Sequence, residues 1–313
     1  MRIRVAVIGG GQNCEHDVSL ASAAGISDAL RSQGHEVVPL TIETDGTWRD
    51  AAGRRIELAD AVRVLSTCAV AVPAVHGPRG EDGTLAALCE LARVPYVGSG
   101  VRAGAIAMDK WTTKLVAQSV GIATAPGRLL TATTAGSYAW TRPVVVKPVA
   151  AGSSHGVSMV SVPDGLEPAL ASALALDDRV LVEEVVSGRE IDVAVLGRPG
   201  GLRVVAPTLE IRVDGMFDFE AKYGGSSTFT VPAHLTEAET AALTEAAVAM
   251  YDALGCAGLA RVDFFLTAEG PVLNEVNTMP GFTEQSQVPR MFAAAGTSYG
   301  DLLDLMVRDV IEG

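Results

Sequence analysis

Apolar residues in the first hundred positions fall into short unbroken runs separated by amphipathic stretches. Residues 5–9 (VAVIG) form one such run, residues 18–31 repeat their apolar positions at helical spacing and stop before Gly34, and residues 35–42 form a second run. Residues 68–75 read as another buried strand, 84–92 as a helix and 95–97 as a short strand. Runs without period-two alternation are strands covered on both faces, so the pattern predicts a parallel sheet flanked by helices to about residue 100.

The pattern then changes. A helix over 106–120 is closed by Gly121, a strand over 144–148 leads into a small-residue loop at 151–156, and another strand occupies 180–184. From Gly188 onward, 191–196 and 202–206 read as strands. A long helix begins at Thr236, whose hydroxyl and Glu239 three residues later have the spacing of a capping box. Residues 260–266 and 272–276 flank the turn Thr267-Ala268-Glu269-Gly270, which predicts a hairpin. Residues 131–141 (TATTAGSYAWT) read as a surface connection. The fold class is therefore α/β at the N-terminus, and the pattern changes beyond it.

Composition narrows the possible chemistry. At 313 residues the chain exceeds one typical core, so two or three packed units sharing a cleft are expected. No stretch reaches the roughly 18–20 apolar residues of a membrane span, and the opening MRIRVAVIGGG ends in glycines rather than a cleavage site. The cysteines Cys14, Cys68, Cys89 and Cys256 are scattered, with no zinc spacing, and read as free thiols of a reducing cytoplasm. A net charge of −13 disfavours nucleic acid and anionic membrane, so a polyanion must bind in a local basic pocket. ATP meets that requirement. Of 24 basic residues only four are lysines (Lys110, Lys114, Lys147, Lys222). A lysine that survives in an arginine-rich chain is a candidate for a place where a compact ammonium is needed, as at a transferring phosphate.

Two constellations carry chemistry. In Arg261-Val262-Asp263 and Glu275-Val276-Asn277 the polar residues are two apart, so each pair shares a strand face. Asp263, Glu275 and Asn277 are then an all-oxygen set suited to magnesium bridging phosphates; polar residues on a solvent-facing hairpin are the plainer alternative. The loop from Lys147 through Gly152, Ser153, Ser154 and His155 to Gly156 leaves a strand with a lysine and runs into small residues whose amides can approach phosphate oxygens. Gly9-Gly10-Gly11 lacks the dinucleotide fingerprint, because its third glycine position is Cys14.

The strings GGGQNCEHDVSL, AVHGPRGEDGT, PYVGSG, AMDKWTTK, VVVKPVAAGSSHGVS, LVEEVVSGREIDVAVLG, FDFEAKY, ARVDFFL and LNEVNTMPGFTEQS stand in the order and spacing of the motifs of D-alanine:D-alanine ligases. The chain resembles that family of the ATP-grasp superfamily over nearly its whole length. The resemblance implies an N-terminal α/β domain over 1–98 and two α+β ATP-grasp lobes over 99–185 and 186–313. It also implies ATP-dependent joining of two D-alanines through an acyl phosphate for peptidoglycan precursors. By the same resemblance, Lys110 and Lys147 hold nucleotide phosphates, Ser153 and Ser154 lie over the transferring phosphoryl group, and Lys222 follows the γ-phosphate. Glu183 accepts from the adenine amino group, backbone groups of Glu184 and Val186 meet the ring edge, and Glu190 takes the ribose hydroxyls. Asp263, Glu275 and Asn277 bind two Mg2+ ions, with Mn2+ as a substitute and K+ as a further ion.

On the amino-acid side the resemblance implies that Glu15 pairs with the first ammonium beside His76, with Ser153 and Tyr223 completing a hydrogen-bonded set. Arg261 and the Gly281 N–H stabilise the oxyanion, and Ser286, aided by Arg261, binds the second carboxylate. Gln287 departs from the apolar residue usual there and bears on the second substrate, and His155 replaces a usual aliphatic. Residues 219–231 are a candidate lid. A cytoplasmic homodimer is implied, without nucleic-acid or membrane partners. The alternatives are a paralogous ligase taking a different D-amino acid second, in antibiotic biosynthesis or resistance, and a nucleotide-binding regulator without catalysis.

Overall fold

The computed structural model describes residues 1–212 and 228–312. The first sheet has the order Arg55–Ile56, Trp48–Arg49, Glu36–Ile42, Arg4–Gly10, Val70–Pro73. Its last three strands are parallel, with Val5 opposite both Val37 and Val70. Alternation along the central strand divides the core. Val5 and Val7 face Ile26 and Leu30 of helix His16–Ser32 and the C-terminal helix Tyr299–Glu312, whereas Ala6 and Ile8 face helices Leu58–Leu65 and Thr84–Ala92. The two-residue strands at the far edge are antiparallel and too short to leave a period in the sequence. Residues 95–97 contribute only an isolated bridge between Ala71 and Tyr96.

A four-stranded antiparallel sheet comes next, ordered Gly127–Thr131, Arg179–Glu184, Val144–Pro148, Ser158–Val160. Helix Leu166–Leu174 covers one face, packing Leu170 and Ala173 among Val146, Val180 and Val182. Residues 131–141 are partly anchored rather than wholly superficial, since Tyr138 and Trp140 pack against this core.

The third sheet has seven strands, Arg189–Gly197 and Leu259–Thr267 at its centre and the latter paired with Gly270–Asn277 in the expected hairpin. Helix Glu237–Leu254 lies on it, burying Leu243, Ala247, Met250 and Leu254 against Val193, Val195, Ala260 and Val262. Its start is the expected capping box: the Thr236 hydroxyl accepts from the Glu239 N–H at 3.2 Å while Glu239 accepts from the Thr236 N–H at 2.7 Å. Residues of the first and third sheets share one apolar cluster that joins Val5, Val72, Leu196, Leu259, Phe282 and Leu303, so these layers are one packed body.

Two further departures from the sequence pattern bear on the cavities described below. The helix expected over 106–120 is two helices, Val101–Met108 and Lys110–Ser119, broken at Asp109. Asp109 adopts an extended ψ of 95° and caps the second helix by accepting from the Thr112 N–H at 2.7 Å. The break places Lys110 at a helix start with its N–H on the Val149 carbonyl. The strand Ala123–Thr124 beyond this pair joins Gly270–Asn277 in parallel, so residues 101–124 buttress the third sheet. The second departure is a register shift in the hairpin, where Asp263 faces Glu275 but Phe264 faces Leu273. Asn274 is the extra residue of this bulge. Among the described residues no helix is long and apolar enough to cross a membrane.

Candidate active site

Two adjoining cavities lie where the three sheets meet. The first, of about 550 Å³, is lined by Glu15, His76, Glu81, Gly281, Ser286 and Asn277, among others. The second, of about 590 Å³, is lined by Lys147, Ser154, Glu183, Glu184, Val186 and Glu190, with Asp263 at its floor. Lys110, Ser153, Arg261, Glu275 and Gln287 line both. Every expected site residue that falls within the described chain therefore borders one or other of these adjoining cavities. Lys222 and Tyr223, and most of 219–231, lie outside the described residues.

In the first cavity, Glu15 is buried at the start of helix His16–Ser32. Its Oε1 accepts from the Ser153 hydroxyl, 138 residues away, while Oε2 is buried without a hydrogen-bond partner among the described residues. The serine loop comes this close because residue 152 is glycine: a Cβ there would stand 2.1 Å from Glu15 Oε2. Ser153 and Ser154 hold left-handed φ of 48° and 56°, a strained conformation for residues with side chains and one that concentrates at functional loops. His76 is fixed by two bonds. Its Nδ1 lies 2.8 Å from the Met279 carbonyl, so Nδ1–H donates there, and Nε2 accepts from the Ser22 hydroxyl at 2.8 Å. Burial pushes the His76 pKa down, which agrees with this neutral tautomer.

Glu81 was missed by sequence reasoning, although the GEDG string contains it. It accepts from the Met279 N–H at 3.2 Å. Burial, reinforced by the Glu15 charge, pushes its pKa up to about 8. Ser286 stands at the N-cap position of helix Gln287–Ala294 without a side-chain capping bond; its Oγ instead accepts from the Thr283 N–H at 3.0 Å. Gly281 lies beside it, open enough that an added Cβ would meet only Ser286 Oγ, at 3.6 Å.

The hairpin brings its polar residues together, with Arg261 at their centre. Arg261 grips Asp263 through Nε at 2.7 Å and Nη2 at 2.8 Å, and Nε lies 3.5 Å from Asp192. Burial opposes the guanidinium charge, yet Asp263 and Asp192 more than compensate and hold Arg261 firmly protonated. Its Nη1 donates to Gln287 Oε1 at 2.8 Å, so Arg261 contacts Gln287 rather than Ser286. Asn277 donates to Asp263 at 2.9 Å, and Glu275 stands 3.4 Å from Lys110. Asp263 and Glu275 converge with Asn277, though the charge of Asp263 is matched by Arg261. Among the described residues no cluster of three or more His, Cys, Asp or Glu is arranged around a common metal position, so a cation here needs oxygens from a ligand to complete its shell.

The second cavity is organised by Glu183, on strand Arg179–Glu184, which is buried between two lysines. Lys147 is 2.6 Å from Glu183 Oε2 and also donates to Asn274, the bulge residue, at 3.3 Å. Lys114 pairs with Glu183 Oε1 and donates to the Ala125 carbonyl at 2.5 Å. Burial alone would raise the Glu183 pKa, but Lys147 and Lys114 outweigh it and hold the carboxyl below the usual carboxylate range. Two ammoniums on one carboxylate leave a net positive charge, which suits a polyanion inside an acidic protein. Lys110, on the wall between the cavities, donates to the Ala151 carbonyl at 2.7 Å. The four cysteines are free, and none borders either cavity.

The model of the "D-ala D-ala ligase N-terminus" family matches residues 4–99, and that of the "D-ala D-ala ligase C-terminus" family matches residues 127–308. A D-alanine–D-alanine ligase of Corynebacterium aurimucosum is 40% identical, over 99% of this chain and 98% of its own length. The crystal structure of the VanG D-Ala:D-Ser ligase of Enterococcus faecalis superposes with a TM-score of 0.86 at 32% identity, covering 98% of this chain and 99% of that one. The Bacillus anthracis D-alanine–D-alanine ligase, solved complexed with ATP, gives a TM-score of 0.81 at 28% identity, covering 99% and 98%. With both halves matched in order along the chain, and relatives similar over nearly its whole length, the chain belongs to the D-alanine–D-alanine ligase family and has its ATP-grasp fold.

Proposed function

We propose that this protein joins two D-alanines at the expense of ATP, supplying D-alanyl-D-alanine for peptidoglycan precursors in the cytoplasm. The observation that carries the reading is Glu15. A buried carboxylate oxygen without a hydrogen-bond partner among the described residues, walled by Gly77 and Gly152, suits an ammonium, and it lies beside a second cavity, bordered by Lys110 and Lys147, large enough for a nucleotide. ATP supplies the phosphoryl group that activates the first carboxylate as an acyl phosphate, and magnesium neutralises the phosphates.

In this reading Glu15 orients the first substrate through its ammonium, with His76 neutral beside it. Lys110 and Lys147 hold phosphates, Ser153 and Ser154 lie over the transferring group, and Lys222 and Tyr223 complete the set. Glu183, the backbone of Glu184 and Val186, and Glu190 bind the nucleoside. Asp263, Glu275 and Asn277 would hold the magnesium, two ions in the full set, that offsets the phosphate charge. Arg261 and the Gly281 N–H offset negative charge on the attacked carbonyl, and Ser286 takes the second carboxylate. Positioning and charge neutralisation, rather than covalent chemistry by the protein, supply the rate. The proposed units are 1–98, 99–185 and 186–313, assembled as a homodimer, with K+ as an additional ion whose effect a salt series measures.

The test is phosphate release from ATP driven by D-alanine, with mass spectrometry of the product. Release driven only by another amino acid would overturn the reading. Gln287 favours one second reading, D-serine as the second substrate: an amide beside Arg261 offers a hydroxyl a partner that a methyl group cannot use. A panel of D-alanine, D-serine and D-lactate as second substrates separates the two.

A further inference from the structure

We infer that Lys114 is a positioning residue for base recognition: it keeps the Glu183 carboxylate anchored and ionised toward the base when Lys147 turns to the phosphates. The inference rests on the proposed contact of Glu183 with adenine.

The two lysines on Glu183 are not equivalent. Lys147 and Glu183 line the nucleotide cavity, but Lys114 does not. Lys114 stands behind the carboxylate, buried, with its ammonium fixed between Glu183 Oε1 and the Ala125 carbonyl. It lies one turn along the same helix from Lys110, so the cap at Asp109 that sets Lys110 sets Lys114 as well. Lys147 faces the open space and holds Glu183 and Asn274 from that side.

A nucleotide changes the balance between them. Phosphates compete for Lys147, and a buried carboxylate that lost its sole counter-ion would be costly or would take up a proton. With Lys114 in place Glu183 stays ionised when Lys147 turns away. An ionised carboxylate only accepts hydrogen bonds, so it favours the exocyclic amino group of adenine and repels the carbonyl oxygen that hypoxanthine carries at the same position. A protonated carboxyl can donate, and the discrimination is lost. Lys114 thus supports base selection without touching the base.

The experiment is calorimetric titration of the whole protein with ATP and with ITP, for wild type, Lys114→Met, Lys114→Arg, Glu183→Gln and the Met/Gln double variant. Lys114→Met is expected to weaken ATP about tenfold, as loss of a charge-assisted contact does, and to leave ITP within about twofold. Lys114→Arg is expected to recover most of the ATP affinity, and the KM for D-alanine at saturating ATP to stay unchanged. On the Glu183→Gln background the Met substitution is expected to add nothing further. Should Lys114→Met not fold, Lys114→Gln, which still donates to the Ala125 carbonyl, takes its place. Weakened ATP binding by Glu183→Gln with wild-type binding by Lys114→Met overturns the role of Lys114 alone, as does equal weakening of ATP and ITP by Lys114→Met. Unchanged ATP binding by Glu183→Gln overturns the adenine contact and this inference with it.

Discussion

Arg261 holds Asp263 from two residues away on the same strand by two parallel hydrogen bonds of 2.7 and 2.8 Å, and both side chains are buried. A carboxylate expected to serve a metal is thus paired with the very guanidinium expected to face the reacting carbonyl. Removing the guanidinium takes from Asp263 and Asp192 the charge that Arg261 brings to both. Arg261→Ala is expected to lower turnover about 10²–10³-fold, the cost of losing one oxyanion donor. It is also expected to destabilise the fold by about 3 kcal/mol, as broken buried ion pairs do. Steady-state kinetics and urea denaturation read the two effects separately. Arg261→Lys restores charge but not the fork, so it is expected to recover stability more than turnover.

Gly152→Ala is expected to disable the serine loop rather than the fold. Its new methyl group would stand 2.1 Å from Glu15 Oε2, and the loop must retreat, parting Ser153 from Glu15. The expected outcome is at least about a tenfold loss in kcat/KM for D-alanine, in line with small misplacements at reacting centres. Melting temperature is expected to move little. A variant with wild-type kinetics would show that the close approach has no part in catalysis.

Glu81 makes stability depend on pH. Its pKa in the folded protein is raised to about 8 from 4.5, so the folded state binds a proton that the unfolded state releases between those values. The stability it contributes is fully present below about pH 4.5 and is lost as pH rises toward 8. Because Glu81 is not wholly shielded from the cavity, the expected change is on the order of 1–2 kcal/mol rather than the full linkage value. Thermal unfolding of wild type and Glu81→Gln across pH 5 to 8 measures it: the difference between them should shift against wild type with rising pH. Parallel curves would place the titration elsewhere.

His35 offers a contrast remote from the cavities. Its ring is fully buried, accepting from the Ile3 N–H at 3.2 Å through Nδ1 and bonding Asp304 at 2.7 Å through Nε2, which ties the first strand region to the last helix. His35→Ala is expected to cost about 2 kcal/mol through the groups it leaves unpaired. Chemical denaturation reads that loss, while kcat and KM stay at wild-type values.

Much of this was legible in the sequence because it is local. The runs around Val5 and Val70, the Thr236–Glu239 box and the hairpin through Asp263 and Val276 each carry their signal within a few residues. The break at Asp109 was hidden because aspartate fits a helical pattern as readily as it caps a new helix. Asn274 escaped because a bulge adds one residue to a strand without altering its composition, and a period-two reading passes over it. The partnership of Lys114 with Glu183 spans 69 residues, and that of Glu81 with Met279 spans 198, distances over which only the folded chain can bring groups together. In the sequence Lys114 is only one of four lysines, with chance as good a reason for it as chemistry, and its role needed the geometry.

The partition between the two cavities has a thermodynamic consequence. Lys110, Ser153, Arg261, Glu275 and Gln287 belong to both walls, so an occupant on one side alters the groups offered to the other. Reciprocity then binds the two affinities: whatever factor a nucleotide imposes on amino-acid dissociation, the amino acid must impose on nucleotide dissociation.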